Sequence, residues 1–241
     1  MPNSFDGILI KIGSIEIPIA QSILVWLVLS IIFAIFFIVV GKKFKKADAS
    51  IAPKGILLIA EMIYDLAKSV VKDNLGKKTN RYLPFFGTLI FMMAASNLSG
   101  LLGVQAPTSN LSVTVSLAIC MFILIQYTAI KENGIKNRAK GLLQPIAILA
   151  PLNVIGELAV PISLALRLFG NLLAGTIVLS LVYTVVKFIM GLCAPFMILM
   201  YAVTPALHAY FDIFSGLIQT YIFFTLASYF LGSSAGYSEE N

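Results

Sequence analysis

The sequence predicts an all-α polytopic membrane protein: five membrane crossings plus one surface amphipathic helix, with two long tilted helices forming a hairpin. Three observations predict it. Apolar residues make up 59% of the 241 residues and charged residues only 12%, against about 45–50% and 25% in soluble domains. Mean hydropathy is +0.95, more apolar surface than a soluble domain of this length can hide. The 17 basic and 11 acidic residues are bunched, and the runs between them reach the roughly 20 residues that a spanning helix needs. Residues 1–241 read as a single integral membrane domain.

Taken in order, Ile17–Gly41 is charge-free and runs into Lys42, Lys43, Lys45 and Lys46. It is the first span, with its C-terminal end at the cytoplasmic face, where basic residues gather. In Lys54–Leu75, Ile56, Ile59, Ile63, Leu66 and Val70 form one stripe, and Glu61, Asp65, Lys68 and Lys72 another. That two-faced pattern predicts a helix lying on the membrane surface. Tyr82–Ile130 has no charge over 49 residues, too long for one crossing. The turn-formers Asn97-Leu98-Ser99-Gly100 and Gln105-Ala106-Pro107-Thr108-Ser109-Asn110 divide it into spans near 83–104 and 112–130. A basic loop at 131–140 follows, with Lys131, Lys136, Arg138 and Lys140. Two long apolar stretches complete the chain, Pro145–Lys187 and Pro195–Gly232, with Gly191–Pro195 as the turn between them. Helices of that length reach about twice the hydrocarbon thickness, so they must tilt or bend. Pro145, Pro151 and Pro161 are the candidate bends.

Fourteen of the seventeen basic residues lie in 42–81 and 131–140. The net charge of +6 therefore reports orientation: N-terminus outside, C-terminus cytoplasmic. Basic residues bunched at span ends do not make the aromatic-interleaved patch that nucleic acid needs, so no nucleic-acid partner is expected. Cys120 and Cys193 lie in apolar context with no metal or redox spacing. No cofactor, resident metal or catalytic residue is predicted.

The polar residues inside the apolar stretches carry the functional signal. Arg167 has no charged neighbour within nine residues, and a central arginine costs at least about 2.5–3.5 kcal/mol on insertion scales. The bland alternative is a structural ion pair with Glu157 or Asp212. Ser163, Arg167, Asn171 and Ala174 share a helical face, with Gly170 and Gly175 beside it. Such small residues let another helix approach. In the second stretch His208, Asp212, Ser215 and Gln219 fall on one face at helical spacing, a set that needs water or a facing polar helix. Set antiparallel with Gln219 level with Arg167, Asp212 lies about 10 Å and Thr176 about 13 Å toward the outside, and Glu157 about 15 Å toward the inside. The pattern is that of two water-accessible half-paths separated by a fixed positive charge.

The block Ser163–Gly175 (SLALRLFGNLLAG) resembles the signature of subunit a of the bacterial F-type ATP synthase. Pro151–Glu157 before it and Ile218–Phe223 after it are similar to the family's flanking motifs, and Asn97 with Pro107-Thr108 fits as well. The resemblance implies a static ion-channel subunit in the bacterial cytoplasmic membrane. It would sit beside a c-ring, with peripheral stalk subunit b and the other ATP synthase subunits as partners. Arg167 matches the family's essential arginine, Asn171 and Gln219 the polar residues beside it, Glu157 the cytoplasmic half-channel glutamate, and Asp212 a position held by histidine or a carboxylate. His208, Ser215, Thr176 and Ser163 are possible helpers, and Na⁺ near Asp212 is compatible with a carboxylate there. Thr176 departs from a position where many members carry Glu or His, and Val160 from one where Lys or Arg is frequent. The competing class is a secondary transporter using Arg167 to bind an anionic substrate, but the arginine block occurs once and no internal repeat is visible.

Overall fold

The computed structural model describes residues 7–12, 15–46, 54–102, 104, 106–144, 146–192 and 197–237. The side chains of 7–12, 15–19, 102, 147, 189–192, 197–202 and 212 lie outside that description. Five helical stretches are long and apolar enough to cross a membrane: Gln21–Phe44, one within Ile56–Leu101, Leu111–Leu142, Ala150–Phe188 and Val203–Ala235. The membrane part is all-α, as expected.

A short hairpin precedes it. Strand β1 (Gly7–Ile12) pairs antiparallel with β2 (Ile15–Ala20), Gly7 opposite Ala20 and Ile12 opposite Ile15. The first helix therefore begins at Gln21 rather than Ile17. The reason is local: Ile15, Ile17 and Ile19 repeat with a period of two, which suits a strand. Pro18 is tolerated because a two-stranded ribbon consists of edges.

Helix α1 (Gln21–Phe44) buries only Ser22 and Val40. Leu27, Val28, Ile31, Ile32 and Ile35 are all exposed, an apolar exterior suited to lipid. Its start is tied down by Asn110, whose amide donates to Ser22 Oγ at 3.0 Å. Asn110 Oδ1 also accepts from the Ser112 N–H at 2.9 Å and so caps the helix after it.

Helix α2 (Ile56–Leu75) is the amphipathic helix, but its stripe is not used as expected. Ile59 and Leu66 are exposed, while Ala67, Val70, Val71 and Leu75 are buried. Its C-terminal half packs against α3 (Thr79–Leu98) and α7 (Gly216–Ala235). The close approach depends on Gly232, where a β-carbon would overlap the Asn74 carbonyl oxygen. Asn74 Nδ2 then donates to Ser228 Oγ at 2.8 Å.

Helix α4 (Leu111–Leu142) runs through the segment expected as a loop. It is broken at Gly134, whose φ of 76° and ψ of 153° are open to glycine and strained for other residues. The chain doubles back there, so that Arg138 reaches Gln126, twelve residues earlier. Helix α5 (Ala150–Leu192) is one helix of 43 residues, about 65 Å long. Pro151 lies in its first turn, where a missing N–H is harmless, and Pro161 lies inside it; Pro145 falls outside the described residues. Helix α6 (Met197–His208) passes into a π-helix at Ala209–Ser215 and then into α7. Residues 193–196 of the intervening turn lie outside the described residues.

One apolar cluster joins α2, α3, α4, α5 and α7. Phe86, Met93, Met121, Leu168, Phe223 and Phe224 are fully buried in it, and Phe86 meets Phe224 edge-on at 6.1 Å. Beside it Tyr237, just past α7, is buried with its hydroxyl 3.4 Å from that of Tyr82. Burial, reinforced by that hydrogen bond, pushes the Tyr237 phenol well above its ordinary value and keeps it protonated.

The break between α3 and α4 is closed by a buried polar knot. Asn97 Nδ2 donates to Gly216 O at 2.9 Å and to Thr220 Oγ1 at 3.0 Å, and Asn97 Oδ1 accepts from Thr108 Oγ1 at 2.5 Å. Away from water each of these groups needs its partner. Asn97→Ala is expected to cost about 2 kcal/mol, because it strands the fully buried Thr108 hydroxyl. Thermal unfolding in detergent reads the effect, and an unchanged midpoint would rule the clamp out.

Candidate functional site

Arg167 lies at the middle of α5, exposed, on a face shared with Ser163, Gly170 and Ala174, which are exposed too. A β-carbon at Gly170 would meet nothing within 4 Å. Among the described residues, neither Arg167 nor Ser163 makes a side-chain hydrogen bond or an ion pair. Of the two structural ion pairs expected for Arg167, the one with Glu157 does not form, since Glu157 is bonded to Arg138 instead; the one with Asp212 falls on a side chain outside the described residues.

Two cavities flank Arg167 along α5, and Arg167 lines neither. The first, about 470 Å³, is bordered by Asn97 and Ser109 from the α3–α4 corner, Asn171, Thr176 and Tyr183 from α5, and His208 from α6. Asn171 Nδ2 donates to Ser215 Oγ at 2.8 Å, a bond between α5 and the π segment. Tyr183 Oη lies 2.6 Å from His208 Nε2. Thr176 is exposed to the cavity and turns its hydroxyl to Leu172 O at 2.9 Å. Gly175 admits Phe211, whose ring would be 3.2 Å from a β-carbon there.

The second cavity, about 520 Å³, lies at the other end of the arginine segment. Gln126 and Arg138 line it from α4, Asn153 and Glu157 from α5, and Ser233 and Ser234 from α7. Glu157 Oε1 is 2.6 Å from Arg138 Nη2, and Glu157 Oε2 accepts from Gln126 Nε2 at 3.0 Å. Asn153 Nδ2 donates to the carbonyls of Leu142 and Gln144 at 2.8 and 2.9 Å, fixing the chain between α4 and α5.

The expected single polar stripe on the second long helix is divided. A π-helix takes more residues per turn than an α-helix, so the seven residues from Ala209 to Ser215 shift the phase of α7 relative to α6. His208 and Ser215 turn to α5, whereas Gln219 is buried, with Nε2 lacking a partner among the described residues. Asp212 stands within the π segment; its side chain lies outside the described residues. Asn171, Thr176 and His208 are thus brought together, and Glu157 is held apart from them on the far side of Arg167.

Residues 22–232 match the family model described as ATP synthase A chain. The chain belongs to the ATP synthase A chain family. Among its relatives it is 32% identical over 195 residues to ATP synthase subunit a 2 of a Bradyrhizobium species, covering 80% of this chain and 81% of the relative. It is 31% identical over 209 residues to ATP synthase subunit a of Moorella thermoacetica, covering 86% and 87%. With ATP synthase subunit a of Chlorobium phaeobacteroides it shares 32% identity over 245 residues, covering 95% and 69%. The residues matched to the ATP synthase A chain family include every candidate site residue.

Sequence reasoning missed the contacts of Gln126, Arg138 and Tyr183, and placed Asn97 in a turn and in the family resemblance without its partners on α7. For Arg138 the usable signal was Asn133-Gly134, a turn-forming pair in an otherwise helical stretch. For Gln126 and Tyr183 it was polarity within apolar runs.

Proposed function

We propose that this member of the ATP synthase A chain family is the static ion-channel subunit of its complex. Two offset half-channels carry H⁺ or Na⁺ to and from carboxylates on a neighbouring c-ring, and Arg167 separates them. The observation that carries the reading is the pair of polar-lined cavities on either side of Arg167. Measured along α5, Glu157 is ten residues before Arg167 and Thr176 nine after it, about 15 and 13 Å.

In this reading the His208 cavity opens outside and the Glu157 cavity to the cytoplasm. Asn171, Thr176, Ser215 and His208, with Asp212, serve the outer path. Glu157 serves the inner one, and Gln219 stands level with the arginine. A guanidinium keeps its charge where other side chains titrate, so in this reading Arg167 attracts a ring carboxylate without relaying a proton itself. Its exposed face, flanked by small residues, suits close approach by ring helices. Peripheral stalk subunit b and lipid cover other parts of the exterior.

Opposite-side access is the test. In a background with Cys120 and Cys193 replaced, Gly156→Cys places a thiol in the second cavity and Ser180→Cys places one in the first. A membrane-impermeant thiol reagent should label Gly156→Cys only from the cytoplasmic side, in inverted vesicles. It should label Ser180→Cys only from the outer side, in right-side-out vesicles. Labelling of both from one side would overturn the two-path reading.

A further inference from the structure

We propose that Arg138 is a positioning residue for ion transfer at Glu157, acting as one jaw of a two-part clamp on its carboxylate. The inference rests on the ion-channel reading and assigns a role to a residue outside the arginine block.

Both oxygens of Glu157 are engaged, Oε1 by Arg138 Nη2 at 2.6 Å and Oε2 by Gln126 Nε2 at 3.0 Å. Arg138 Nη2 also donates to Gln126 Oε1 at 3.2 Å, so the three side chains close a ring. A carboxylate held at both oxygens keeps one orientation, here at the wall of the 520 Å³ cavity. Among the described residues, Arg138 and Glu157 are the only charged ones lining that cavity; α7 contributes Phe230, Ser233 and Ser234. No second cation among them is at hand to replace Arg138.

The grip is also built to yield. Arg138 holds Glu157 through one nitrogen rather than as a bidentate fork, and its Nε is buried with no partner among the described residues. End-on pairs lack the geometric lock of the fork. Arg138 is carried on the segment after the break at Gly134, whereas Gln126 sits on the continuous part of α4. One jaw is thus fixed, and the other is mounted beyond a backbone break. An ion can reach Glu157 by displacing the Arg138 jaw while Gln126 keeps the carboxylate aimed.

The test uses the assembled complex in inverted vesicles, with ATP-driven pumping as readout and membrane levels of the subunit as the folding control. Arg138→Gln is expected to slow pumping about fivefold, the effect of roughly 1 kcal/mol of lost coupling between neighbours. Arg138→Lys should recover most of the rate, since an ammonium still reaches Oε1. Against a Glu157→Gln background, Arg138→Gln should add little. Equal slowing by Arg138→Gln in both backgrounds, or a lysine variant as slow as the glutamine one, overturns the clamp. The parent reading is judged separately: pumping by Arg167→Ala would defeat it, whereas loss of pumping there with an additive Arg138–Glu157 cycle defeats the clamp alone.

Discussion

Arg167→Ala is expected to abolish ATP-driven ion pumping in inverted vesicles while leaving the level of the subunit in the membrane unchanged. Both halves of that result follow from one observation. Arg167 is exposed and makes no hydrogen bond or ion pair among the described residues of this chain, so its removal breaks none of the described contacts. It even relieves an insertion penalty of at least about 2.5–3.5 kcal/mol. A charge kept at such a cost, with no bond among the described residues, fits the proposed role toward a partner outside this chain. Arg167→Lys is expected to fail severely as well. A desolvated ammonium can lose its proton, which a guanidinium does not, and would then open a direct path between the two cavities. Normal pumping by the alanine variant would sink the assignment.

Gly232→Val is expected to have the opposite signature, with little subunit accumulating in the membrane. Its side chain would have to occupy the place of the Asn74 carbonyl. A backbone oxygen cannot rotate away, so α2 must leave α7. With it go the Asn74–Ser228 hydrogen bond and the burial of Leu75, whose side chain lies beside Gly232. Overpacking alone costs about 1–3 kcal/mol, and the lost α2 contacts add to that. Quantitative immunoblotting of membranes and thermal unfolding in detergent read the effect. Wild-type level and midpoint in the valine variant would mean that α2 does not depend on this contact.

These two sites differ in how visible they were. Arg167 stood out because a lone charge in a long apolar run has few bland explanations. The spans were visible for the same reason, since charge-free length is a one-dimensional property. Gly232 was silent, because a glycine in an apolar helix does not say which backbone it must admit. Amphipathicity identified α2 as two-faced, yet not that protein would cover half of the apolar face: Val70 lies inside and Leu66, on the same stripe, outside. Glu157 was picked out by its charge, but its partner Arg138 was hidden in a cluster of cations that reads as topology. Only the backbone reversal at Gly134 brings the two together. The π segment was illegible for a different reason. Helical periodicity assumes a constant turn, and Ala209–Ser215 breaks that assumption at the stripe the periodicity was used to find.

The spacing of the two cavities has an electrical consequence. On α5 the Glu157 cavity ends at Val160 and the His208 cavity begins at Asn171. The wall between them is ten residues, with about 16 Å from Val160 to Asn171, roughly half the hydrocarbon thickness. In the proposed two-path reading, with conducting water in both cavities and each open to its own side, the transmembrane voltage falls mainly across that wall. Each elementary charge crossing it gains about 2.3 kcal/mol per 100 mV over half the usual distance, so the local field is about doubled. Arg167 stands within that wall, where a carboxylate passing it would feel the steepest part of the potential.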